Sequence, residues 1–73
     1  MLTIGTRVRT LIDLTSVDWH PEQPDIPAGS LGTIDAIHRD RLTGRVIDYG
    51  VMLDASVDRL SAAMNPDEIE ATQ

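Results

Sequence analysis

The stretch of residues 26–37, IPAGSLGTIDAI, constrains the fold more than any other part of the chain. Its Pro-Ala-Gly run at residues 27–29 suits a tight turn, because proline fixes φ at the first corner and glycine tolerates positive φ. A strand is predicted to follow, over residues 31–38. Gly32 inside this strand marks a bulge or a point where another strand crosses closely. Sharp bending of this kind is what a small β-barrel requires.

Alternating side chains predict a first strand over residues 4–12. Its two faces carry Val8, Thr10 and Ile12 on one side and Arg7 and Arg9 on the other. A third strand is predicted over residues 46–53, with Tyr49, Val51 and Leu53 on one face. Residues 57–64 are predicted as a fourth strand, although their alanine-rich sequence suits a helix equally well.

The remaining segments have the composition of turns and loops. Residues 13–29 contain three prolines and many polar residues, which predicts a long loop. Residues 39–45 predict a hairpin loop, and residues 65–68, Asn-Pro-Asp-Glu, a single 3₁₀ turn before a short last strand around Ile69. A single domain over residues 1–70 is expected, with a frayed tail at 71–73.

Composition narrows the class of protein. The chain has 73 residues, no Phe and no Cys, so the core must be aliphatic and disulfides and thiolate metal sites are excluded. Trp19 and Tyr49 are its two aromatic residues. No apolar stretch approaches the length of a membrane helix and no signal pattern is present, so a soluble cytoplasmic protein without membrane contact is expected. The net charge of −6 disfavours binding to nucleic acid.

Four motifs in this order resemble the SH3-like barrels of small bacterial proteins, most closely the KOW-type and electron-transport-accessory group. They are GTRV at residues 5–8, IPAGSLGTI at 26–34, YGVMLD at 49–54 and DEIE at 67–70. The resemblance implies a five-stranded SH3-like barrel with a long loop after the first strand. Such barrels bind RNA, DNA, peptides or enzyme subunits, so the resemblance specifies no single function. Residues 26–37 also lack the basic residues of the RNA-binding members.

A non-catalytic protein-interaction or accessory module is the predicted function, because exposed loops on a rigid scaffold commonly carry binding residues. The partner is another protein or a second copy of the chain. The predicted contact residues are Trp19, Tyr49, Asp18, Glu22 and Asp25. Trp19 has two interpretations: an exposed binding residue, or a cap on one open end of the barrel. The latter is slightly favoured, and for Tyr49 a place in the core or at its rim is preferred.

Two alternatives belong to other classes. A local basic stripe for nucleic acid would require Arg7, Arg9, Arg39, Arg41 and Arg45 to lie together. An acidic inhibitor that imitates nucleic acid is the third possibility. Neither catalysis nor a cofactor is predicted, because no motif for nucleophilic catalysis, phosphate binding or dinucleotide binding is present. A metal site at His20 and His38 is disfavoured, since they lack the spacing of a ligand pair.

Overall fold

The computed structural model describes residues 2–72, with the side chain of Asp18 outside the description. The fold is all-β, with five antiparallel strands in one sheet and a single helical turn in the first long connection. The elements are β1 (Arg7–Thr10), α1 (Ser16–Trp19), β2 (Leu31–Arg39), β3 (Val46–Leu53), β4 (Ala62–Met64), a 3₁₀ turn (Pro66–Glu68) and β5 (Ile69–Ala71).

The strands follow the order β4-β3-β2-β1-β5 across the sheet. Within residues 2–72, β4 and β5 form the two edges and do not pair with each other, so the sheet is not closed. The predicted five strands are therefore confirmed, whereas closure into a barrel is not observed.

The core lies on one face of the sheet and is aliphatic apart from a single tyrosine. Its buried members are Val8, Ile26, Ile34, Tyr49, Val51, Leu53, Ala62, Met64 and Ile69. The alternation predicted for β1 and β3 accounts for four of them, because every second side chain of a strand points to the same face. Ile26 comes from the connection before β2, so part of that connection belongs to the core.

Gly32 in β2 and Gly50 in β3 allow these two strands to approach closely. A Cβ atom at Gly32 would lie 2.9 Å from the Met52 carbonyl oxygen and 2.9 Å from Val51 Cγ1. Close strand contact, and not a bulge, therefore explains Gly32. The two register shifts between β2 and β3 lie further along β2, between Ile34 and Ala36 and between His38 and Arg39.

Two predicted strands are shorter than expected. The first covers four residues instead of nine. The fourth begins at Ala62 instead of residue 57, because Asp58 and Arg59 adopt φ of 57° and 53° and break the extended backbone. The helical alternative for this segment is also wrong, since Asp58 and Arg59 lie in a turn and residues 62–64 form β4.

The C-terminal segment is more ordered than predicted. The 3₁₀ turn lies where its sequence predicted it, and the Asn65 backbone N–H donates to Glu68 Oε1 at 2.7 Å. Ala71, expected in the frayed tail, pairs with Val8 in the sheet. The Thr72 N–H donates to the Arg7 carbonyl at 2.9 Å, and Gln73 lies outside the described residues.

Candidate binding groove

The segment of residues 13–29, predicted as a structureless loop, is instead folded back on itself. Leu14 and Ile26 form an isolated antiparallel bridge with two backbone hydrogen bonds of 2.7 Å. The bridge places the Ile26 side chain in the core, where it is 1% exposed. Because its two ends are tied together, the segment holds α1 at a defined place beside the sheet.

Two carboxylates of this segment stabilise its turns. Asp13 Oδ1 accepts the Ala28 N–H at 2.7 Å, and Asp25 Oδ1 accepts the Ser16 N–H at 2.8 Å. The second bond satisfies a free backbone donor at the start of α1. Asp25, predicted as a contact residue, therefore has a structural role in the free protein.

Gln23 connects the segment to the turn between β3 and β4. Its side chain is 4% exposed, and its amide nitrogen donates to the Val57 carbonyl at 2.8 Å. Its amide oxygen accepts the Val57 N–H, also at 2.8 Å. These two hydrogen bonds hold the segment of residues 13–29 against the turn between β3 and β4, although the two are far apart in sequence.

Trp19 ends α1 and lies half-buried against the core. Its indole Nε1 is buried and has no hydrogen-bond partner among the residues that the structure describes. A buried donor without an acceptor is rare and destabilises the arrangement that contains it. Trp19 is therefore partly buried against the core, with its indole N–H unsatisfied, and is not a fully exposed residue. A cap on a barrel end is not observed, because the sheet of residues 2–72 is not closed.

A groove of about 390 Å³ runs between Trp19 and the edge strand β4. Trp19 and His20 form one wall, and residues 60–63 form the other: Leu60, Ser61, Ala62 and Ala63. Ser61 Oγ donates to the Asp35 carboxylate, which fixes the rim. His20 Nδ1 accepts the Glu22 N–H at 3.3 Å, so in the neutral ring Nε2 carries the proton.

The opposite edge of the sheet offers a groove of different chemistry. It is lined by Arg9, Glu70, Ala71 and Thr72. Arg9 and Glu70 form an ion pair there, so this surface already has its charges matched. The groove beside β4 is more apolar and contains the unsatisfied indole, which makes it the better candidate for a binding site.

The predicted contact residues are only partly brought together. Trp19 lines the groove, and exposed Glu22 is joined to it through the bond to His20. The side chain of Asp18 lies outside the described part of the structure. Tyr49 is 5% exposed and belongs to the core, so the prediction that it forms a contact rim beside Trp19 is corrected.

No feature of the sequence indicates that the other residues of the groove lie together. Leu60, Ser61 and Ala63 were predicted inside a strand, with no reason to place them opposite Trp19. Gln23 looked like an ordinary polar loop residue. Its buried position depends on Val57, which is 34 residues away.

The five arginines of the predicted basic stripe lie in two groups. Arg7 forms a bidentate ion pair with Asp54, with nitrogen to oxygen distances of 2.9 and 2.7 Å. Arg9 forms an ion pair with Glu70. The hydrogen bond from Arg7 holds the pKa of Asp54 below its usual range, and the same bond raises the pKa of Arg7. The charge of this first group is therefore matched by carboxylates.

The second group, Arg39, Arg41 and Arg45, lies at the hairpin between β2 and β3. Arg7 pairs with Thr33, and Arg39 is six residues further along β2, about 20 Å in an extended strand. The two groups do not form the continuous stripe that the nucleic-acid hypothesis requires.

The two histidines have different hydrogen-bond partners. His38 pairs with Asp48, and His20 contacts the Glu22 backbone. Within residues 2–72, no group of three or more potential ligands is placed to hold a metal ion. No helix in the same residues has the length and apolar character needed to cross a membrane.

Comparisons with protein-family models, with curated proteins and with solved structures found no match to this chain.

Proposed function

We propose that this chain is a non-catalytic protein-interaction module of the SH3-like type, which binds a short segment of a partner in the groove between Trp19 and β4. The observation that carries the proposal is the buried indole N–H of Trp19 without an acceptor, in the wall of an apolar groove. The order of the four sequence motifs supports the SH3-like assignment.

A partner's carbonyl group is a suitable acceptor for this indole. Leaving a buried donor unpaired costs about 1–3 kcal/mol, so a small rotation of Trp19 towards a carbonyl in the groove would recover part of that free energy. Trp19 belongs to a helix of four residues, which is too short to be stable alone. Its adjustment on binding therefore requires little rearrangement of the sheet.

Strand β4 offers the second element of recognition. It has three residues and pairs with β3 alone among the described strands. Main-chain groups on the outer side of an edge strand are available to an added segment. An apolar side chain of that segment would pack between Trp19 and Ala63.

The charge of the molecule favours a basic partner. The chain has twelve acidic and six basic residues. Exposed Glu22 and Asp58 lie close in sequence to residues of the two groove walls, with Arg59 as the nearby basic residue. A segment carrying arginine or lysine around one apolar residue therefore matches the groove.

Fluorescence titration tests this proposal, because Trp19 is the only tryptophan in the chain. The probe is a short peptide that alternates arginine and valine around a central leucine. The emission of Trp19 is expected to shift on binding, since the environment of the indole changes. A peptide with serine in place of leucine should bind about tenfold more weakly.

Two variants in which an alanine is replaced by arginine provide the matched comparison. Ala63→Arg places a large cation in the groove, whereas Ala71→Arg makes the same change at the opposite edge of the sheet. Both alanines are exposed, so both variants should fold. Binding should be lost in Ala63→Arg and retained in Ala71→Arg. Equal binding by both variants, or no binding by the wild type, would contradict the proposal.

A further inference from the structure

The hairpin between β2 and β3 has a well-defined tip. Backbone bonds of 2.8 Å join the Asp40 N–H to the Arg45 carbonyl and the Gly44 N–H to the Asp40 carbonyl. Asp40 Oδ1 also accepts the N–H groups of Leu42 and Thr43, at 2.7 and 3.1 Å. One carboxylate therefore holds the turn in a single conformation before any partner arrives.

This turn presents an apolar side chain to solvent. Leu42 is 95% exposed, the highest exposure among the large hydrophobic residues of the described chain. A single exposed leucine is common and carries no function by itself. Here Leu42 lies at the tip of a hydrogen-bonded hairpin. Binding through it would therefore cost little further backbone conformational entropy.

The hairpin also has a charge opposite to that of the whole molecule. Residues 39–45 contain three of the six basic residues but only one of the twelve acidic residues. That acidic residue is Asp40, whose carboxylate is occupied by the backbone of the turn. Arg41 and Arg45 are exposed beside Leu42. The tip is thus a basic surface with one apolar residue at its centre.

We propose that the hairpin tip of one copy of this chain docks into the Trp19 groove of a second copy. Leu42 would pack against Trp19 and Ala63, and Arg41 and Arg45 would lie near the carboxylates around the groove. The proposal rests on the proposed function, because it uses the same groove. It adds the identity of one partner, which is the chain itself.

The tip cannot reach the groove of its own chain. Ala63 pairs with Gly50 in β3. The hairpin leaves β3 at Val46, four residues before Gly50, which is about 13 Å along an extended strand. Residues 40–45 extend the chain further from the groove. Contact between tip and groove therefore requires two molecules.

The two surfaces are different, so the contact is head-to-tail. After the first contact the dimer keeps one free groove, on the copy whose tip is bound, and one free tip, on the other copy, so further copies can add. Because every copy has a net charge of −6, repulsion between whole molecules opposes this assembly. We expect weak association that depends on concentration and is measurable at moderate ionic strength, where long-range repulsion is screened.

Nucleic acid is the competing occupant for the arginines of the tip. The acidic residues of the rest of the chain repel phosphates, and a leucine at the centre of the surface matches an apolar groove better than a phosphate backbone. Charge and shape therefore favour the second copy.

Sedimentation velocity over micromolar to millimolar concentrations tests the proposal on the purified full chain. The wild type and the control Ala71→Arg should associate, whereas Leu42→Ser and Ala63→Arg should each associate about tenfold more weakly or not at all. Leu42→Ser changes an exposed side chain, so circular dichroism should show an intact fold. Intact folding of Ala63→Arg is checked in the same way.

Mixing the two defective variants gives the decisive measurement. Leu42→Ser keeps its groove, and Ala63→Arg keeps its tip. Their mixture should therefore form one-to-one dimers and nothing larger, because the dimer has no second functional pair. Dimers in the mixture but not in either variant alone would establish the contact.

Three results would overturn the inference. A wild type that stays monomeric while the arginine-leucine peptide still binds would disprove self-association and leave the proposed function standing. Association unchanged in both variants would place the interface elsewhere. Binding of a labelled RNA or DNA oligonucleotide that requires Arg41 and Leu42, without self-association, would assign the tip to nucleic acid.

Discussion

The segment of residues 13–29 and the hairpin of residues 39–45 are both polar connections, but they are organised in opposite ways. The first turns inward and buries Ile26 and Gln23, at 1% and 4% exposure. The second projects outward and leaves Leu42 at 95% exposure. Gln23 bonds to Val57, 34 residues away, whereas Asp40 bonds to residues two and three positions along. Amino-acid composition alone does not distinguish a loop that contributes side chains to the core from a loop whose side chains are exposed.

The largest expected effect comes from removing the buried side chain of the inward segment. Ile26→Ala should lower the free energy of unfolding by about 2–5 kcal/mol, because it deletes core contacts and leaves a cavity. Leu42→Ala, the matched change on the hairpin, should alter it by less than about 0.5 kcal/mol. Urea unfolding of both variants measures the contrast. Similar losses in the two variants would mean that the segment is not part of the core.

A smaller effect is expected from breaking the bond between the two connections. Gln23→Ala leaves the N–H and carbonyl groups of Val57 without their partner, which should cost about 1–3 kcal/mol. The neighbouring change Glu22→Ala, at an exposed site, should leave stability nearly unchanged. Urea unfolding gives the free energy, and hydrogen exchange of the Val57 amide reports the local bond. If Val57 exchanged equally slowly in Gln23→Ala, the bond would have no stabilising role.

The same contrast explains which features were predictable from sequence. Strand β3 was predicted with its observed bounds because its side chains alternate within one continuous segment. The 3₁₀ turn was predicted because Asn65 suits a cap and Pro66 suits the first helical position. The observed bond between Asn65 and Glu68 also lies within that turn. Both signals are local, so they can be interpreted without knowledge of the fold.

Features that depend on distant partners were not predictable. The burial of Gln23 requires Val57, and the groove requires Trp19 to lie opposite β4. The start of β4 was placed five residues too early, because Asp58 and Arg59 adopt positive φ without a glycine to indicate it. Gly32 predicted either a bulge or a close approach of another strand, and the close approach is observed. The register shift between Ile34 and Ala36 was not predicted.

The smallest expected effect concerns the local order of the hairpin and depends on pH. The N–H groups of Thr43 and Leu42 donate to Asp40 and hold the pKa of its carboxyl below the usual range. Since this pKa is lower in the folded state, the bonds stabilise the turn above the ordinary carboxyl pKa of about 3.9, and this stabilisation is lost as pH falls through the folded value. NMR should show the Leu42 and Thr43 amides shifting with acid, and their protection factors, taken relative to the intrinsic exchange rate at each pH, should fall. In Asp40→Ala the protection factors of these amides should be low at every pH, while the Val51 amide in the core stays protected in both proteins. Equal protection of Leu42 and Thr43 in the variant would mean that the backbone bonds alone order the tip, and that Asp40 does not prepare it for binding.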